Sequence, residues 1–283
     1  MKYTYPPAFD RVRAKELLAL VDQAYAQLNQ GAAWRPPAGY TILTPLTTKE
    51  YWKIPGPVTN ILQHLLPSVP FGFVAQKAVT GEVYVVIRGT ITPLEWFDDF
   101  TAQPIPFQPN GKSWGKTTQG FNTIYGDLGP QIANAIGGLQ VAPPAPLPPI
   151  FVTGHSLGAA LAHLAAAGIA AQFGAQPTSY TLSGPRTGDS AFAAAFVNAG
   201  LTTWRMFNTE DIVPTVPPAA VEITTPNMGM QGISLVSQSL IKFVQLSPLG
   251  YQHIGYPIAA TFHSDSVEGN HNQDSLVAEI SSQ

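Results

Sequence analysis

The residues best placed to do chemistry lie in "VTGHSLGAALA", positions 152 to 162, where Ser156 stands between Gly154 and Gly158. A serine hydroxyl is a weak nucleophile at neutral pH. It becomes reactive when a sharp strand-to-helix turn presents it, a histidine takes its proton, and an acid orients that histidine. The run Ile150 to Thr153 predicts the strand and Leu157 to about Phe173 the helix, while the flanking glycines leave room for a strained serine. The same turn sets the backbone N–H of Leu157 at a helix N-terminus, where partial positive charge can stabilise an oxyanion.

Such a serine requires a base and an acid later in the chain if the order is that of strand-helix hydrolases. Of six histidines, His64 is upstream, and His155 and His163 lie beside the turn and on its helix, where packing is the ordinary role. His253, His263 and His271 remain as bases. Among the acids, Asp189, Glu210 and Asp211 compete. Asp211 follows the strand candidate "TTWRMFN" and precedes Val213-Pro214, which sets it at the C-terminal end of a strand, where α/β sites are built.

The elements that must position these residues read as an α/β protein. From Asp10, an N-cap, the apolar residues Val12, Leu17, Leu18, Val21, Tyr25 and Leu28 predict an amphipathic helix that stops at Gly31. "FGFVAQKAVTGEVYVVIRGT" predicts two strands joined near Thr80-Gly81. "VAPPAPLPP", 141 to 149, is a stiff surface connection into the strand at Ile150, and "TSYTLSG" and "TTWRMFN" are further short strands. Strands alternating with helical segments favour a mainly parallel sheet covered by helices.

Composition narrows the class. The 283 residues, 45% of them hydrophobic, are expected to form a single domain over 1–283. Charged residues are 11%, the net charge is −3 and the isoelectric point is near 6.0, so no basic stripe exists to neutralise a nucleic-acid backbone. A mean hydropathy of +0.08 fits a large core. Cysteine is absent, which removes disulfides and thiolate metal sites. The first 25 residues hold no apolar signal-type run, and later apolar runs are broken by Gly, Pro, His or Gln, so the expectation is a soluble chain with no transmembrane segment.

Four segments in order, "VVIRGT" (85–90), "VTGHSLGAALA" (152–162), "LSGPRTGD" (182–189) and "RMFNTEDIVPTVPP" (205–218), with "YQHIGYPI" (251–258) as a looser fifth, resemble the fungal-type class 3 triacylglycerol lipases, a group that also contains feruloyl esterases. The resemblance implies an α/β-hydrolase fold and a serine ester hydrolase that needs no metal or cofactor. It implies Ser156 as nucleophile, Asp211 as acid and His271, ahead of a terminal helix, as base, with His263 as its nearest rival. Thr90 would share the oxyanion hole with Leu157.

Directly after Thr90, "ITPLEWFDDF" (91–100) reads as a short amphipathic helix with Leu94 and Phe97 on one face and Trp96 and Phe100 on a neighbouring one. By resemblance this segment is a lid, with Ile91, Leu94, Trp96 and Phe97 meeting substrate at a lipid–water interface, and Arg88 and Asp99 are expected to pair at its base. Acylglycerols are the implied substrates, with soluble esters, feruloyl esters and phospholipids as alternatives and a non-catalytic lipid-binding module as the remote one. The family is largely secreted, which sets the expected location.

Overall fold

The computed structural model describes residues 5–49, 66–90, 103–140, 146–217 and 250–282. Helix α1 (Arg11–Gln30) starts where the Asp10 side chain accepts a hydrogen bond from the Arg13 N–H at 2.9 Å, and it stops at Gly31, whose φ of 54° suits glycine. Its buried stripe is Ala14, Leu17, Leu18, Val21 and Ala24. Val12, expected on that stripe, is instead 78% exposed. It precedes Ala14 by two residues, about 200° around the helix, and so faces solvent.

In chain order follow β1 (Tyr40–Lys49), β2 (Ser68–Lys77), β3 (Val83–Ile87), β4 (Pro104–Pro106), β5 (Lys116–Thr118), α2 (Gln119–Gly137), β6 (Ile150–His155), α3 (Leu157–Phe173), β7 (Thr178–Leu182), β8 (Gly188–Asp189), α4 (Ser190–Asn198), β9 (Thr202–Asn208), β10 (Tyr251–Gln252), β11 (Tyr256–Ala260), α5 (Val267–Asn270) and α6 (Gln273–Ser282). The hairpin β2–β3 turns at Gly81, as the sequence predicts. Residues 141–145 of the proline-rich connection lie outside the described residues.

Among the described residues the main sheet has the order β1-β2-β3-β6-β7-β9-β11. From β3 to β11 every neighbouring pair is parallel, while β1, β2 and β3 pair antiparallel. A second, antiparallel sheet, β10-β8-β5-β4, was not legible in the sequence. Its strands are two or three residues long, too short to show a period of two.

Both faces of the main sheet are covered. Along β3, Val83, Val85 and Ile87 join the core under α2, α3 and α4, whereas Tyr84 and Val86 join the core under α1 and α6. That two-sided burial is why β3 reads as an unbroken apolar run rather than an alternating one. Helix α3 is buried from Leu157 through Ala167 without a gap, and its many alanines allow that whole surface to pack closely.

The register delivers the site. Ile87 pairs with Gly154, His155 with Leu182, Leu182 with Met206, and Asn208 with Ala260. The chain therefore leaves β3, β6, β9 and β11 along one edge, so Thr90, Ser156, Asp211 and His271 follow strands that end together.

Candidate active site

Ser156 occupies the turn between β6 and α3 with φ 56° and ψ −126°, a conformation that costs a non-glycine residue about 1–3 kcal/mol. The turn is held by the Ser156 N–H bonded to the Leu182 carbonyl at 2.9 Å and by the Ala159 N–H on the Ser156 carbonyl at 2.9 Å. The flanking glycines serve backbone contact more than serine strain. A β-carbon on Gly158 would lie 2.4 Å from the Ile87 carbonyl oxygen, and one on Gly154 would lie 2.2 Å from that of Gly158. This close approach presses the turn onto the end of β3.

Thr90 leaves that same strand end and is buried, its hydroxyl without a hydrogen-bond partner among the described residues. Leu157 is fully buried and opens α3, so its N–H is among those that no helix carbonyl can satisfy. The predicted oxyanion residues thus flank Ser156 from two strand ends.

Asp211 sits just past β9, its N–H bonded to the Asn208 carbonyl at 3.1 Å. One carboxylate oxygen, Oδ1, accepts from the Val213 N–H at 3.0 Å, and Oδ2 accepts from His271 Nδ1 at 2.8 Å. Because a carboxylate only accepts, Nδ1 carries the imidazole hydrogen and Nε2 is left as the proton acceptor. Ser156 Oγ and His271 Nε2 are both buried and have no hydrogen-bond partner among the described residues. In ligand-free sites of this kind the serine–histidine bond is often long and tightens only with substrate. His271 follows α5 and packs against His155, the residue before Ser156, with ring centroids 4.7 Å apart and the rings tilted by 35°.

The rival residues lie elsewhere. Asp189 caps α4 through the Phe192 N–H at 2.8 Å and also accepts from the Lys116 N–H, while Glu210 is exposed. The His263 side chain is 74% exposed, 4.0 Å from Asp265. His253 is desolvated beside Arg205 and Arg186, which brings its pKa down to about 3, and His163 is similarly lowered to about 3 by burial and bonds Thr187 Oγ1 at 2.7 Å. Ile91, Leu94, Trp96, Phe97 and the rest of 91–100 lie outside the described residues, as does Asp99. Arg88, its expected partner, is buried, donates to the Pro70 carbonyl at 2.8 Å and lies over the Phe71 ring at 4.4 Å.

Sequence reasoning missed the residues that hold the histidine loop. Asn208 Nδ2 donates to the Asn270 carbonyl at 3.0 Å and its Oδ1 accepts from the Phe262 N–H at 3.1 Å, while Asn270 Oδ1 accepts from the Ser264 N–H at 2.7 Å. A buried asparagine ending a strand candidate is the signal that could have flagged Asn208, since its amide demands partners.

A cavity of about 290 Å³ adjoins the site, lined by Tyr25, Thr90, His155, His271, Asn272 and Gln273 among others. A larger one of about 620 Å³ opens beside Ile150 at the opposite end of β6, and none of its lining residues titrates or is a nucleophile. Among the described residues no group of three or more His, Asp or Glu is arranged to hold a metal, and no helix is long and apolar enough to cross a membrane.

Comparison with known proteins matches residues 84–221 to the family Lipase (class 3). The lipase of Rhizomucor miehei is 35% identical over 142 residues, 49% of this chain and 38% of that protein. Phospholipase A(1) DAD1, chloroplastic, of Arabidopsis thaliana is 30% identical over 189 residues, 62% of this chain and 42% of that one. The chain thus spans about two-fifths of the length of these curated relatives. A solved triacylglycerol lipase, described as having a serine-protease triad at its catalytic centre, superposes with a TM-score of 0.59 at 25% identity, covering 76% of this chain and 77% of that one. With its mainly parallel sheet, two-sided helices and serine at the turn after β6, the chain has the α/β-hydrolase fold, and its residues 84–221 belong to the class 3 lipase family.

Proposed function

We propose that the chain is a serine hydrolase that cleaves carboxylic esters of acylglycerols through an acyl-enzyme. The observation that carries the reading is the buried Asp211–His271 bond, which leaves Nε2 as an unpaired acceptor beside the strained serine turn. Ser156 Oγ attacks the ester carbonyl carbon and His271 Nε2 takes its proton. Asp211 keeps the ring oriented and stabilises its cation, and the N–H groups of Leu157 and Thr90 receive the oxyanion. Collapse passes the proton to the departing alcohol oxygen. Water, deprotonated by the same nitrogen, then releases the acid and restores Ser156. The cycle calls on no cofactor.

Residues 91–100 act as the lid in this reading, on the strength of their amphipathic sequence directly after Thr90. A phospholipase acyl hydrolase is the second reading, favoured by the Arabidopsis thaliana relative. The two share every step above and differ only in the headgroup admitted. Labelling with a fluorescent alkyl phosphonate, followed by hydrolysis of p-nitrophenyl esters, emulsified triacylglycerol and phosphatidylcholine vesicles, tests both. Labelling lost in Ser156→Ala is expected; a wild-type chain that takes no label returns the protein to a lipid-binding role.

A further inference from the structure

One side chain of α1 reaches between the two halves of this site. The Tyr25 hydroxyl oxygen lies 3.0 Å from the Gly89 N–H and 2.8 Å from His155 Nδ1, and His155 Nε2 lies 3.0 Å from the backbone carbonyl oxygen of His271. The directions of these bonds are fixed by what each end can do. A backbone N–H only donates, so Tyr25 accepts from Gly89. A carbonyl only accepts, so His155 carries its hydrogen on Nε2 and donates it to His271. Burial and the neighbouring His271 lower the His155 pKa well below the ordinary value, so the ring is neutral, its Nδ1 is an acceptor, and Tyr25 donates its hydrogen there. Burial around the Tyr25 hydroxyl raises its pKa, so it stays protonated at neutral pH.

We propose that Tyr25 and His155 are positioning residues, which set the distance between the oxyanion loop and the catalytic histidine by one continuous chain of hydrogen bonds. The chain begins at Gly89, whose N–H precedes Thr90, and ends on the carbonyl of the base itself. Its middle member is the residue before the nucleophile. The fit is tight as well as polar: a β-carbon on Gly89 would come within 2.8 Å of the Tyr25 hydroxyl and 2.9 Å of the Ser156 β-carbon. The His155 ring lies between Tyr25, edge-on at 6.0 Å, and His271 at 4.7 Å, so a shift at either end is transmitted to the other. An aromatic residue filling space alone would need none of these bonds. This inference rests on the hydrolase reading, because it assigns Tyr25 and His155 no contact with substrate.

Steady-state kinetics on p-nitrophenyl butyrate, with the rate of phosphonate labelling, tests it. Tyr25→Phe keeps the ring and removes the hydroxyl, and kcat and the labelling rate are expected to fall together by about 10- to 100-fold with KM nearly unchanged, the signature of misplaced reacting groups. His155→Gln retains an amide donor for the His271 carbonyl and is expected to keep more of kcat than His155→Leu, which has none. Tyr84→Phe removes a hydroxyl bonded to Glu16 and Glu82 on the same face of the sheet and should lower the melting temperature without changing kcat. Wild-type kcat in folded Tyr25→Phe, or equal kcat in the two His155 variants, overturns the proposal while leaving the hydrolase reading intact. A wild-type chain that neither hydrolyses nor labels overturns both.

Discussion

His271 Nδ1 donates to Asp211 Oδ2 across 2.8 Å, and both residues are sealed from solvent although 60 positions separate them in the chain. A buried bond to an acceptor-only group selects one tautomer of the imidazole, and that selection leaves Nε2 able to accept a proton. Asp211→Asn can instead present an amide N–H to Nδ1 and favour the wrong tautomer. It is expected to lower kcat about 10,000-fold with little change in folding, measured by ester hydrolysis alongside thermal melting. His271→Ala should be similarly inactive. His263→Ala should retain wild-type turnover, and full activity in His271→Ala would sink the assignment.

The turn conformation of Ser156 yields a prediction about stability. Its side chain makes no capping hydrogen bond to α3, so truncation sacrifices no bond while φ 56° becomes easy for glycine. Strain relief of about 1–3 kcal/mol exceeds the extra chain entropy that glycine loses on folding, about 0.5–1 kcal/mol. Ser156→Gly is expected to abolish hydrolysis and raise stability by about 1 kcal/mol in urea titrations. A less stable variant would show that the turn is not strained.

Two glycines on helices should respond in opposite directions. Gly158→Ala pushes a β-carbon onto the carbonyls of Ile87 and Arg88 and should cost about 1–3 kcal/mol, with loss of activity as the end of β3 is displaced. Gly126, inside α2, has nothing within 4 Å of where its β-carbon would stand. Gly126→Ala should therefore add about 0.5–1 kcal/mol through helix propensity and leave turnover alone. Chemical denaturation of both variants gives the comparison.

Asp22, on α1, accepts from Gln273 Nε2 and faces Asp274 at the start of α6; burial first, and then Asp274, raises its pKa from 3.8 to about 6. A raised folded pKa means that the native state holds the proton more tightly than the unfolded chain. The resulting stability is fully present below about pH 3.8 and is lost as pH rises through about 6. Asp22→Asn should remove this slope, so that its gain over wild type grows between pH 4 and 7. Melting temperatures measured at intervals of pH decide the matter, and parallel curves for the two proteins would contradict it.

If Trp96 belongs to a lid that meets lipid, Trp96→Ser should reduce hydrolysis of emulsified triacylglycerol more than that of a soluble p-nitrophenyl ester. Equal losses on both substrates would remove the interfacial role and leave Trp96 as part of the acyl pocket.

The sequence by itself determined what is written in neighbouring residues. The cap at Asp10, the stop at Gly31, the hairpin at Gly81 and the strand–serine–helix order around Ser156 all follow from local conformational preference and short-range hydrogen bonds. Segment order and family likeness also carried the choice of Asp211 and His271. Tertiary structure decided what depends on which strands lie side by side. Only the register Ile87–Gly154 and Asn208–Ala260 brings the four strand ends to one edge, and only there do Asn208 and Asn270 acquire partners. Tyr25 makes the point most directly: periodicity marks it as one more apolar position on α1, and its hydroxyl gains its role from Gly89 and His155, which are 64 and 130 positions away. Hydrogen-bond complementarity over such distances is a property of the assembled fold, and no local pattern encodes it.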